Sequence, residues 1–295
     1  MLETLLQLFV SGILAGGIYA LMSVGLTLVF GVLRVVNFAH GEYMMLAMYF
    51  TFWLFTQLSV DPYVAILIVL PAAWLFGIAT EWLLIRRTLD APHIAQVFVT
   101  LALSVLLQNL ALLFWTADFR SIFVPYASSV VEIGPVLVTW SRLINFIIAI
   151  VTAAAVGAML KYTYTGMAIR ATAQDRRSAR LMGVNVDRIY SMTFALGSAL
   201  VALAGVLVMP LFPVNPFSGG EFILVAFVVV VLGGMGSLLG AVVAGLAIGV
   251  IEAFAAFYLG SEVKQLVYFL FFVVVLLVMP AGLFGKRGAE VMDVT

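Results

Sequence analysis

Gly166-Met-Ala-Ile-Arg170-Ala-Thr-Ala-Gln-Asp175-Arg-Arg-Ser-Ala-Arg180-Leu-Met-Gly183-Val-Asn-Val-Asp187-Arg188 is a charged island in an otherwise apolar chain. Together with Lys161 it holds six of the fourteen basic residues, and the long stretches on either side carry almost no charge. A basic loop between apolar spans marks the cytoplasmic side of a membrane protein. This one is longer than a turn requires, and it interleaves Ala168, Ile169, Ala171, Ala173, Ala179, Leu181 and Met182 with its charges. The pattern predicts a short amphipathic helix ending near Gly183, because glycine is the common helix stop. Two roles stay open for it: a helix lying on lipid headgroups, or an element that docks on a cytoplasmic partner.

The composition agrees with a membrane chain. Hydrophobic residues make up 65% and charged residues 9%, and the mean hydropathy is +1.22, whereas soluble domains carry roughly 25% charged residues. Apolar windows of about 20 residues suit membrane helices. Transmembrane barrels would show short alternating segments instead, so the fold class expected is all-α and polytopic. The formal net charge is zero, which points to no nucleic acid. Cysteine is absent and His40 and His93 are the only histidines, so no metal cluster is expected. No positive n-region precedes the first apolar run, which is therefore read as a retained span.

The expected spans are Leu5–Phe30, a second ending near Leu58, Tyr63–Ile85, Ile94–Thr116, Leu143–Tyr162, Ile189–Phe212 and Val263–Phe284, with a polar loop over Asp118–Ser141. Between Phe222 and Leu259 lie 38 mostly apolar residues. As one helix they would reach about 57 Å at 1.5 Å per residue, far beyond the roughly 30 Å hydrocarbon core. The Gly233-Gly234-Met235-Gly236-Ser237 run in the middle predicts a break, with Phe222–Leu232 as a short or partial span and Leu238–Leu259 returning. That gives about eight transmembrane helices plus a broken or partial one. The positive-inside rule then puts Arg34, Arg86, Arg87, the basic loop and the Lys286–Arg287 tail in the cytoplasm, and the N-terminus outside. In the second span, Tyr43–Leu58 would cover only about 24 Å. The helix is expected to start earlier and draw in Asn37, His40 and Glu42, or else a polar segment dips into the membrane there.

Ionisable and amide side chains near membrane depth are candidates for function, because burying them without partners costs several kcal/mol. Asn37, His40 and Glu42 form either an interfacial turn or part of a translocation path. Gln108 and Asn109, with Ser104 one turn earlier, either bond neighbouring helices or contact solute. Glu81 is expected to pair with Arg86 or to snorkel. Glu252 follows the Gly-rich break and is either partnered, lining the path, or hydrated near the interface. Gly236/Gly240 and Gly245/Gly249 have the spacing of close helix contacts. No phosphate-binding Gly-x-x-x-x-Gly-Lys-Ser/Thr loop is present, so no catalytic residue and no cofactor of its own are expected.

Several separated motifs, in order, resemble the LivH-type permeases, one of the two membrane subunits of branched-chain amino acid ABC importers. They are Gly17 to Phe30-Gly31, Val36-Asn37-Phe38-Ala39-His40-Gly41-Glu42, the segment Gly166–Arg188, the Gly233–Ser237 break, and Val278-Met279-Pro280-Ala281-Gly282-Leu283-Phe284-Gly285. The resemblance implies one permease domain over 1–295 with a cytoplasmic coupling loop at about 163–188. Arg170, Asp175, Arg176, Arg177, Arg180, Gly183 and Asp187 would face an ATPase subunit. Gly183 matches the glycine of the importer loop consensus Glu-Ala-Ala-x-x-x-Gly, whereas Arg177-Ser178-Ala179 departs from its opening. The resemblance further implies a LivM-like second permease, two cytoplasmic ATPase subunits that bind the ATP, a periplasmic substrate-binding protein, and residence in the bacterial inner membrane. Leu, Ile and Val are the solutes it implies; urea, short amides or other amino acids are carried by similar machinery. A self-sufficient carrier or channel is the competing class.

Overall fold

The computed structural model describes residues 1–89 and 91–285. Its elements divide into two compact units. The described helices include six that are long and apolar enough to cross a membrane. They are α1 (Leu2–Leu33), α3 (Pro62–Thr80, continued as a helical turn to Thr88), α4 (His93–Trp115), α5 (Trp140–Tyr162), α8 (Val186–Val208) and α10 (Leu238–Leu259). The others are α2 (His40–Leu58), α6 (Tyr164–Gln174), α7 (Arg176–Leu181), α9 (Ser218–Gly233) and α11 (Lys264–Val278).

One unit comprises Met1–Thr27, Val124–Ala153 and the described residues from Val225 on, 225–285. Here α1 and α10 cross where each presents two glycines four residues apart. A Cβ on Gly12 would lie 2.6 Å from the Val250 Cα, and one on Gly16 would lie 2.7 Å from the Gly245 carbonyl oxygen. Such small-residue pairs let backbones touch, which matters in lipid because side-chain burial alone does not drive helix association there. Val225, Val228, Val229 and Leu232 of α9 pack with Ala244 and Ile248 of α10 and Tyr268 of α11.

The Gly-rich break is present. α9 ends at Gly233 and α10 begins at Leu238, with Gly234 and Gly236 at φ +95° and +87°. Ser237 caps α10 by accepting the Gly240 N–H at 3.1 Å. At 16 residues α9 spans about 24 Å. The last span differs from expectation: α11 stops at Val278, and residues 279–285 fold back instead of continuing to Phe284. Pro280 cannot continue the helix, and Gly282 takes φ +78°. Lys286 and Arg287 lie outside the described residues.

The segment read as a polar loop contains a hairpin, β1 (Val130–Ile133) and β2 (Val136–Thr139), antiparallel with Val131 opposite Val138. Gly134-Pro135 makes its turn, with Gly134 at φ +61°. Alternating Val136 and Val138 pack on Leu14, the period-2 pattern of a half-buried strand. The Gln7 side-chain amide completes it, donating to the Leu137 carbonyl and accepting the Leu137 N–H, both at 2.8 Å.

The other unit comprises Leu28–Phe123 and Ala154–Leu224. α8 is its axis, with 83% of its most apolar window buried against 22% for α3 and α4. α3 meets it where a Cβ on Gly77 would lie 2.9 Å from the Ala195 Cα, and α2 where a Cβ on Gly205 would lie 2.6 Å from the Met44 carbonyl oxygen. α2 begins at His40, so His40 and Glu42 are helical while Asn37 stays in the preceding turn. The basic segment is two helices rather than one. Asp175 leaves helical geometry (φ −151°, ψ 110°) and serves at once as C-cap of α6 and N-cap of α7.

Candidate functional site

A polar stripe on α4 organises the site. Gln96, Thr100, Ser104 and Gln108 recur every four residues, which puts them on one face of a 3.6-residue helix. Gln96 donates to the Thr88 carbonyl at 3.0 Å and Thr100 to the Val36 carbonyl at 3.0 Å. Ser104 Oγ and Gln108 Nε2 both donate to Glu42 Oε1, at 3.1 and 2.7 Å. Glu42 is 0% exposed. Among the described residues its second oxygen, Oε2, accepts no hydrogen bond. The carboxylate sits instead on the first turn of α9, where a Cβ on Gly219 would come within 2.6 Å of Glu42 Cδ. Only a glycine there lets the carboxylate reach the positive end of the α9 dipole.

Asn37 closes the turn ahead of α2, its Oδ1 accepting the Ala39 N–H at 3.1 Å. Asn37 and His40 are each 1% exposed. Glu42 and the half-buried Gln108 are thus joined directly, and the buried Asn37 and His40 stand just ahead of Glu42 in the chain. Asn109 does not join them. One residue on from Gln108, it points about 100° away around the helix, is exposed and donates to its own helix at the Val105 carbonyl, 2.7 Å. Gln96 and Thr100 were missed by sequence reasoning; the four-residue polar period was the available signal.

Glu252 lies in the other unit and is fully partnered. Tyr19 donates its hydroxyl to Oε2 and Lys264 its ammonium to Oε1, each at 2.6 Å. A carboxylate with a cation and a hydroxyl has its charge compensated where it stands. The ion pair joins α10 to α11, and the tyrosine ties in α1.

The basic segment presents two distinct faces. Ala168, Ile169, Thr172 and Ala179 are buried, while Arg170, Asp175, Arg176, Arg177 and Arg180 are exposed. Leu181 and Met182, at its tip, are 88% and 84% exposed. Asp175 Oδ1 accepts the Arg177 N–H at 2.8 Å and Oδ2 the Ser178 hydroxyl at 2.6 Å. The Ser178 hydroxyl, with the backbone N–H groups of Arg177 and Ser178, holds the Asp175 carboxyl below the usual aspartate range. Gly183 follows at φ +83° with open space around it, so its role is backbone conformation and not packing. Arg180 Nη2 pairs with Asp187 Oδ1 at 3.1 Å, fastening α7 to the first turn of α8.

Glu81 was expected to pair with Arg86, and it does. Glu81, 0% exposed, takes Arg86 through both oxygens, Nε to Oε1 at 3.2 Å and Nη2 to Oε2 at 3.1 Å. Ser191 on α8 adds a hydroxyl to Oε2 at 2.6 Å. The backbone at Glu81–Ile85 is a π-turn, a distortion frequent at functional sites.

A family profile described as "Branched-chain amino acid transport system / permease component" matches residues 8–279. Among similar proteins, the "High-affinity branched-chain amino acid transport system permease protein LivH" of Salmonella typhimurium is 31% identical, with 97% of each chain covered. The corresponding BraD protein of Pseudomonas aeruginosa is 30% identical over the same shares. A "Probable branched-chain amino acid transport permease protein LivH" of Methanocaldococcus jannaschii is 23% identical over 92% of this chain and 90% of its own. No solved structure matches the chain significantly. With its apolar helices and a match over nearly its whole length, this multi-pass, helical membrane protein belongs to the permease-component family of branched-chain amino acid transport systems.

Proposed function

We propose that this chain is one of two membrane subunits of an ATP-driven importer that moves leucine, isoleucine and valine inward across the bacterial inner membrane by alternating access. The observation that carries this reading is the family match over residues 8–279, joined to an exposed α6–α7 element whose apolar tip and arginines suit a cytoplasmic partner. The chain acts as a single permease domain without an ATPase site of its own. A LivM-like permease completes the pore, two cytoplasmic ATPase subunits bind the ATP, Arg170–Asp187 faces an ATPase surface, and a periplasmic binding protein delivers solute. The topology is about eight transmembrane helices plus the partial α9, N-terminus outside and C-terminus cytoplasmic. Asn37, His40, Glu42 and Gln108 lie along the solute route, and the α9–α10 break supplies irregular backbone of the kind tolerated at membrane depth only where protein or a cavity covers it.

The test is uptake of labelled leucine by proteoliposomes holding the chain with its partner permease and ATPases, binding protein outside and ATP inside. Uptake that needs both ATP and binding protein, and that isoleucine and valine compete, supports the reading. ATP hydrolysis stimulated by the binding protein without leucine uptake shifts the solute to urea, an amide or another amino acid. An intact complex showing neither result favours a carrier. Replacing Gly183 with valine should abolish uptake while the complex still reaches the membrane.

A further inference from the structure

One chain of charged contacts runs from the exposed basic element into the helix core of its unit. It starts at Arg180 on α7, whose guanidinium holds the Asp187 carboxylate at 3.1 Å. The carbonyl of the same Asp187 accepts Arg86 Nη2 at 3.3 Å. Arg86 grips Glu81 with two donors, and Ser191 closes the ring by donating to Glu81 at 2.6 Å while accepting from Arg86 at 2.8 Å. Glu81 is wholly buried, one turn beyond the place where Gly77 lets α3 approach Ala195 of α8 closely. A buried ion pair is weak evidence of stability, since an apolar pair of similar volume often serves as well. Its better-attested use is to specify one arrangement.

The helices beyond the ring lead on to buried Glu42. α8 touches α2 directly at Gly205 and the Met44 carbonyl, and Met44 stands two residues from Glu42. A displacement of α7 therefore bears on the first turn of α8 through Asp187, on the π-turn of α3 through Arg86, and on α2 through α8. The ring is therefore built on the π-turn itself, a distortion frequent at functional sites.

We propose that Glu81, Arg86 and Ser191 are positioning residues that transmit movement of the α6–α7 element to the helices carrying the Asn37–Glu42 segment. The proposal rests on the importer reading. Without the ring, α7 still moves with its partner, but α3 and α8 no longer follow it as one body.

The experiment compares leucine moved per ATP hydrolysed in the reconstituted complex for wild type, Glu81→Gln and Ser191→Ala. Ser191→Ala removes the hydroxyl's hydrogen bonds to Glu81 and Arg86 and leaves the ion pair, so it carries the test if Glu81→Gln fails to accumulate. The expected result is a fall of at least about fivefold in leucine per ATP, the lower range of measured couplings between sites, with binding-protein-stimulated hydrolysis largely retained. A purely structural role lowers uptake and hydrolysis together and keeps their ratio. An unchanged ratio in the folded variants overturns the proposal and leaves the importer reading intact. Absence of ATP-driven uptake in the wild-type complex overturns the importer reading, and the proposal with it.

Discussion

The backbone N–H of Leu283 donates to the carbonyl of Leu232 over 2.8 Å, and Phe284 does the same for Gly233 at 3.1 Å. The last carbonyls of α9, which a helix end leaves without partners, are thus satisfied by a loop some fifty residues further along the chain. Two stretches that resemble the same family, the Gly-rich break and the Val278–Gly285 ending, turn out to be one structural unit.

That arrangement makes Gly282 a sensitive position. It sits at φ +78°, and a Cβ there would lie 2.7 Å from the Gly234 nitrogen. Gly282→Val combines left-handed strain with a backbone clash and should cost about 2–3 kcal/mol. A thermal unfolding midpoint in detergent or nanodiscs checks it. A midpoint equal to wild type would mean the loop does not cap α9.

Glu42 makes a second prediction. Glu42→Ala leaves the Ser104 and Gln108 donors buried without their acceptor, at about 1–3 kcal/mol. Glu42→Gln keeps the shape and should be milder in stability. Gly219→Ala should resemble Glu42→Ala, because the added methyl pushes the carboxylate off the α9 turn. Chemical denaturation of the three variants orders them, and Gly219→Ala behaving as wild type would refute the contact.

The Glu252–Lys264 pair predicts non-additivity. Lys264→Met strips the cation from a carboxylate only 13% exposed and should cost about 1–3 kcal/mol, discounted because Lys264 itself is a third exposed. Adding Glu252→Gln should restore most of that loss. A double-mutant cycle on thermal stability measures the coupling, and strictly additive values would show the pair to be inert.

Asp175 predicts a pH response confined to α7. Its carboxyl is held low in the folded state by Ser178 and the Arg177 N–H. A depressed folded value means the contribution is present above the unfolded carboxyl value, about 3.9, and is lost as pH falls through the folded one. Amide protection factors across Arg176–Leu181, normalised to the intrinsic exchange rate, should therefore fall on acidification to that range. Asp175→Asn should flatten the dependence; an unchanged profile in that variant would assign the response to another group.

The helical spans, the interruption at Gly233–Ser237 and the separateness of the basic segment were legible in the residues, because each is a local consequence of apolar length, glycine content and charge. The hairpin was legible in principle, from the alternation of Val130–Thr139 about Gly134-Pro135, but a run that short between long apolar stretches reads as a loop. The bend at Asp175 likewise depends on a cap competing with helix continuation, and the residues alone did not decide that contest.

The partners of the buried charges were a different matter. Sequence marked Glu42, Glu81 and Glu252 as costly groups in need of compensation, and it named Arg86 because that residue is five positions away. It could not name Ser104 and Gln108 for Glu42, or Tyr19 for Glu252 across 233 positions. Neither could it tell that adjacent Gln108 and Asn109 face opposite surroundings. Local pattern records which side chains are expensive to bury; only the packed helices decide which donors come within hydrogen-bonding reach of them.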